Sequence, residues 1–129
     1  MQIAPKIICA VFFLLFLIIP FGNLFAGDKL AVAAEGSEAN ASISMHAARA
    51  PFYLIFKQNG RMTISLQNTA AEESSGASIK AVKLLEKHGV GTLVAGDFGG
   101  KILDAMKERE IKHVIATGAV ADTIRSLIK

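Results

Sequence analysis

Cysteine is almost missing from this 129-residue chain, and the single one, Cys9, falls inside an apolar run near the N-terminus. Downstream of that run there is no thiol, which excludes a disulfide and a cysteine-ligated iron-sulfur cluster from the folded part. Tryptophan is absent, tyrosine occurs once and histidine three times, and neither His88 nor His113 stands at metal-ligand spacing from His46. Charged residues make up only 19% of the chain, with a formal net charge of +3. Lysines and arginines are spread beside acids, a solvated surface that offers no basic patch for nucleic acid. There is no Ser-His-Asp arrangement, nucleophilic cysteine, P-loop or dinucleotide fingerprint.

Long apolar runs are also scarce, apart from one. Residues 7–19 are unbroken hydrophobics, preceded by Lys6 and followed by Pro20 and Gly22, with a small residue, Ala26, at a suitable exit. This reads as a secretory signal peptide over residues 1–26, cleaved after Ala26, and implies an exported, periplasmic protein. A membrane span needs roughly 20 apolar residues. Extended through Phe25, the run nearly reaches that length, so a retained signal anchor over residues 7–25 is the alternative. Residues 27–129 then form a single domain.

Along that domain the apolar pattern alternates between two periods. Residues 29–34 read as a buried strand ended by Glu35-Gly36, and residues 37–44 as a flexible polar loop. Residues 52–56 and 62–66 are β-prone runs around Asn59-Gly60, a strong hairpin signal. Ser74-Ser75-Gly76 is placed to cap an amphipathic helix over residues 77–88, with Ile79, Val82, Leu84 and Leu85 apolar and Gly89 at its C-terminal end. Residues 92–95 form a strand and residues 101–110 a helix. A last strand over 112–116 and a helix over 119–128 complete an α/β order whose second half implies a parallel sheet with right-handed crossovers.

The stretch where a ligand would bind is Ser44-Met45-His46-Ala47-Ala48-Arg49-Ala50-Pro51-Phe52-Tyr53-Leu54-Ile55-Phe56, a polar loop running into an apolar strand. It offers a thioether, an imidazole and a guanidinium within five residues. Two further loops, Ser74-Ser75-Gly76 and residues 96–101, precede helices whose free amides favour an anion. In a parallel sheet ligands gather at the carboxyl ends of strands, where Glu35-Gly36 and Gly96-Asp97 belong. Plainer roles are open to the same residues. Met45 suits packing, Arg49 could reach carbonyls of a neighbouring loop, Phe52, Tyr53 and Phe56 suit the core, and His88 suits a helix C-terminus.

From Leu30 onward the chain resembles the dinitrogenase iron-molybdenum cofactor-binding family, the NifX-type nitrogenase accessory domain. The resemblance rests on Leu30-Ala31-Val32-Ala33-Ala34 and on His46-Ala47-Ala48-Arg49-Ala50-Pro51-Phe52-Tyr53, where the family typically reads His-Phe-Gly-Arg-Ala-Pro-Tyr-Phe. It extends to Gly76-Ala77-Ser78-Ile79-Lys80-Ala81, Ala95-Gly96-Asp97-Phe98-Gly99 and Ile111-Lys112. It implies a ribonuclease H-like fold, a five-stranded mixed sheet in order 3-2-1-4-5 flanked by three helices.

It also implies a non-catalytic binding or carrier protein for an iron-sulfur or iron-molybdenum type cluster, serving a client metalloprotein. On this basis His46 is the metal ligand, and Arg49, Met45, Gly96 and Gly99 are cofactor-binding residues. The sequence departs from the family at Ala47-Ala48, which stand for Phe-Gly. Two alternatives stay open: an exported interaction module that has lost its cluster, and a metal-dependent hydrolase using Glu35, Asp97 and Asp122.

Overall fold

The computed structural model describes residues 27–128, so the signal segment expected over residues 1–26 lies outside it. Within those residues the elements run β1 (Lys29–Ala34), β2 (Phe52–Phe56), β3 (Met62–Gln67), α1 (Ala77–Lys87), β4 (Val90–Ala95), α2 (Gly100–Glu108), β5 (Lys112–Ile115) and α3 (Val120–Ile128). None of the described helices is long and apolar enough to cross a membrane.

The five strands form one sheet in the order β3-β2-β1-β4-β5. β2 is antiparallel to β1 and β3, whereas β4 is parallel to β1 and β5. Asn59-Gly60 makes the hairpin turn between β2 and β3, closed by the Lys57 N–H donating to the Arg61 carbonyl at 2.9 Å. The mixed sheet order that the family resemblance implies is thus present.

The central strands read as continuous apolar runs because both of their faces are covered. Alternate residues of each strand enter opposite cores. Ala31, Ala33, Tyr53, Ile55, Leu93 and Ala95 pack with Ala81, Val82 and Leu85 of α1 and Ile102 and Met106 of α2. Val32, Ala34, Leu54 and Val94 pack on the other face with Val120 and Ile124 of α3.

Three local expectations need correction. Residues 37–44 are not a loose loop throughout. Ile43 is buried beside Ala34, with which it forms a bridge, and Ser42 bridges to Ala119, so the apolar Ile43 side chain pins the end of the segment. Ile79 does not face the core, being 51% exposed. Of Ser74-Ser75-Gly76, expected to cap α1, Gly76 is the N-cap, with φ 75°, but neither serine caps and no side chain bonds the free amides. The left-handed backbone there suits glycine, which meets no β-carbon penalty.

Because β1, β4 and β5 run the same way, their carboxyl ends share one edge of the molecule. The loops after β1 and β4 and the segment leading into β2 gather there. Residues 44–50 and 96–101 are thereby brought side by side.

Candidate anion-binding groove

Ser44 spans the tops of β1 and β4. Its N–H donates to the Ala33 carbonyl at 2.7 Å and its carbonyl accepts from the Gly96 N–H at 2.8 Å. The Ser44 hydroxyl oxygen accepts from the His46 N–H at 3.1 Å, and the Ala47 N–H donates to the Asp97 carbonyl at 3.2 Å. Met45 lies over Gly96 so closely that a β-carbon at residue 96 would collide with the Met45 sulfur and stand 3.1 Å from Met45 Cα.

Two buried side chains fix the next turn of the loop. The Tyr53 hydroxyl donates to the Ala47 carbonyl, and burial pushes its phenol above the ordinary range by penalising the charged form. The Asn68 amide nitrogen donates to the carbonyls of Ala48 and Ala50, both at 2.9 Å, and approaches the Tyr53 oxygen at 3.3 Å. Its amide oxygen accepts from the Ala70 N–H at 3.0 Å. This satisfies polar groups that would be costly to bury alone.

Arg49 projects from this clamped loop. Its Nη1 donates to the carbonyls of Ala71 at 3.1 Å and Glu73 at 2.6 Å. One edge of the guanidinium is therefore anchored, while Nε and Nη2 have no protein partner among the described residues. Glu73 in turn pairs with Lys80 of α1 at 3.0 Å.

Beside Arg49 lies a groove of about 660 Å³ between the N-terminal ends of α1 and α2, lined by Ala48, Arg49, residues 74–79 and residues 99–102, with Asp104, Ala105 and Glu108 further along α2. Neither helix has a capping side chain, and neither has an acid in its first turn. By contrast α3, whose N-terminus is not part of the groove, carries Asp122 in its first turn. Uncapped first-turn amides leave orphan donors, and the helix dipoles add positive potential. Two such termini, the Arg49 guanidinium and the Lys101 side chain make this groove suited to an anion.

The five sequence-based site residues fall in three places, and His46 is in neither the groove nor the Met45–Gly96 contact. Arg49 and Gly99 line the groove. Met45 and Gly96 pack against each other instead. His46 is exposed on the loop three residues before Arg49, and its imidazole makes no hydrogen bond or ion pair among the described residues. His113 stands apart, edge-to-face with Phe98 at 5.2 Å. No three His, Cys, Asp or Glu side chains among the described residues are grouped to hold a metal ion. Glu35, Asp97 and Asp122 accordingly do not form a metal-binding trio.

Residues 28–129 match the profile of the family described as dinitrogenase iron-molybdenum cofactor. The chain belongs to this family. No curated protein matches the chain. Among solved structures, the apo form of the orange protein from Desulfovibrio gigas superposes with a TM-score of 0.74 at 24% identity, covering 79% of this chain and 88% of that one. A Thermotoga protein provisionally assigned as NifB gives a TM-score of 0.67 at 24% identity, covering 78% and 86%. A protein of Methanocaldococcus jannaschii provisionally assigned as a dinitrogenase gives 0.51 at 15% identity, covering 79% and 88%. These likenesses establish the shared fold.

Within the dinitrogenase cofactor family, the departure at Ala47-Ala48 can now be placed. Ala47 is buried in the core and Ala48 lines the groove. Glu110 is the one non-glycine residue with positive φ among those described, so both alanines sit in ordinary backbone. The replaced glycine is not needed here for its freedom at positive φ. What changes is that a methyl group projects where the family pattern has none.

The donor set also limits what kind of cluster the groove fits. Helix amides, the Arg49 guanidinium and Lys101 suit an anion that brings its own sulfide or organic ligands, and His46 is not among the residues that line the groove. Such donors do not suit a cluster bonded through several protein side chains.

Proposed function

We propose that this protein is a non-catalytic carrier that holds an anionic iron-sulfur or molybdenum-containing cluster in the groove between α1 and α2. The observation that carries the proposal is the convergence of two uncapped, acid-free helix N-termini on the partly anchored Arg49 guanidinium. Family membership and the cluster named in the family's description point the same way. In this reading Arg49 and the first-turn amides balance the cluster's charge, Gly99 leaves the α2 amides accessible, and His46, exposed on the same loop but outside the groove's lining, is the imidazole ligand that would reach the cluster from its rim. Met45, seated on Gly96, holds the loop between them. The cargo would pass to a client metalloprotein. Residues 1–26 would direct export to the periplasm or, if residues 7–25 are retained, anchor the domain. The strand order and helix placement also support a ribonuclease H-like classification of the fold.

Anaerobic titration of the protein with thiomolybdate and with iron-sulfur clusters, followed by absorbance and metal analysis, tests this. One cluster per chain is expected, with uptake weakened in Arg49→Ala and His46→Ala. Absence of uptake in the unaltered protein would remove the carrier role.

The Ala48 methyl in the groove supports a second reading, an interaction module with the family's fold and no cluster. Under that reading Ala48→Gly restores uptake that the natural sequence lacks. Under the carrier reading Ala48→Gly changes affinity by less than about tenfold, the effect of one methyl group at roughly 1 kcal/mol.

A further inference from the structure

One buried amide holds both ends of the groove's arginine. The backbone of Arg49 is fixed through its two neighbours, because Asn68 Nδ2 donates to the carbonyls of Ala48 and Ala50. Its guanidinium is fixed through the turn after β3, because Asn68 Oδ1 receives the Ala70 N–H and the next carbonyls along that turn, Ala71 and Glu73, accept from Arg49 Nη1. A backbone bond from the Ala71 N–H to the Asn68 carbonyl, 3.2 Å, and one from the Asn68 N–H to the Pro51 carbonyl, 2.9 Å, close the ring of contacts. Asn68 is only 4% exposed. The orientation of its amide follows from its partners: two carbonyls require the nitrogen on one side, and an N–H requires the oxygen on the other.

From these contacts we infer that Asn68 is the positioning residue of the anion groove, acting on the ligand only through Arg49. The inference rests on the carrier reading and names what tunes that site. A guanidinium held on one edge presents Nε and Nη2 in a fixed direction, so an anion binds without first ordering a long side chain. Asn68 itself is absent from the groove wall. Its side chain therefore affects affinity by setting how much of the arginine's freedom is already removed. Serine at this position keeps a single hydroxyl, too short and too few-handed to hold both carbonyls and the turn together.

The test is a double-mutant cycle between Asn68→Ser and Arg49→Ala, with tetrathiomolybdate as the probe, alongside the NMR signal of the Arg49 Nε–H in the ligand-free protein. Asn68→Ser is expected to weaken tetrathiomolybdate binding about tenfold, and less than about twofold once Arg49 is alanine, because coupled residues are non-additive. Equal losses in both backgrounds would overturn the inference, since a general loosening of the fold needs no arginine. If the unaltered protein binds no tetrathiomolybdate, the carrier reading fails and the ligand-free signal decides alone. A sharp Arg49 signal that broadens or averages in Asn68→Ser upholds the positioning role, and an unchanged signal overturns it. Should Asn68→Ser not fold, Tyr53→Phe takes its place in the cycle. That variant removes one partner of Asn68 and the bond to Ala47 while keeping the ring in the core, and the same outcomes apply.

Discussion

A methyl group added at Gly96 would press on the Met45 sulfur and lie 3.1 Å from Met45 Cα and 3.2 Å from the Ser44 carbonyl oxygen. Two of those three atoms are backbone, so Gly96→Ala has to shift the loop that carries His46 and Arg49. A loss of about 1–3 kcal/mol is expected, read as a lower melting temperature, and Met45→Ala in the same chain should recover only part of it. Tyr53 gives a second prediction, with a definite sign in pH. Its folded pKa is raised by burial, so the stabilisation is complete below the unfolded phenol value and is lost as pH rises from about 10 upward. Compared with the natural protein, Tyr53→Phe should lose about 1 kcal/mol at neutral pH and show a shallower fall in stability in alkaline solution. Denaturant melts at pH 7 and above pH 10 check both. Legibility at this scale was uneven. Arg49 and Gly99 stood out through a recognisable motif, and the plainer role for Arg49, reaching carbonyls of another loop, proved to coexist with a place in the groove. Asn68 did not stand out, because a polar residue after a strand reads as a turn. Its partners Ala48 and Ala50 lie 20 and 18 residues away, and only the folded chain brings them together.

Helical periodicity located α1, α2 and α3 within about two residues, as expected for strongly amphipathic segments. It could not show that the N-termini of α1 and α2 meet, since that follows from how the two helices pack on the sheet. It also put the exposed Ile79 on the apolar face, and of the cap expected from Ser74-Ser75-Gly76 only Gly76 serves. The lack of a side-chain cap is informative in itself, because it leaves the first-turn amides of α1, whose residues line the groove, without a side-chain partner. Two substitutions separate helix stability from ligand binding. Ser74→Ala combined with Ser75→Ala should change stability by less than about 0.5 kcal/mol, since neither side chain bonds the helix end. Ser78→Asp should stabilise α1 by about 0.3–1 kcal/mol through the dipole, while weakening anion binding through repulsion. The two effects have opposite signs, so thermal melts and a tetrathiomolybdate titration of the same variant are enough to detect them.

For the whole molecule, the order of strands and helices could be read directly. A hairpin signal at Asn59-Gly60 followed by alternating helices and strands leaves few arrangements, and the family resemblance supplied the sheet order that the structure has. The groove's electrostatics could not be read from net charge, because its side chains carry both signs, Arg49 and Lys101 against Asp104 and Glu108, and the helix amides that favour an anion carry no formal charge. Binding at such a partly open site should weaken as salt is raised, since exposed charges are screened within roughly 10 Å at 0.1 M ionic strength. Repeating the titration across a salt series tests this. The most direct measurement is anomalous diffraction at the molybdenum edge from crystals of the protein loaded with tetrathiomolybdate. The carrier account predicts a single strong peak in the groove between residues 76–79 and 99–102, within reach of Arg49. A peak elsewhere on the molecule, or none in protein shown by metal analysis to be loaded, would contradict it.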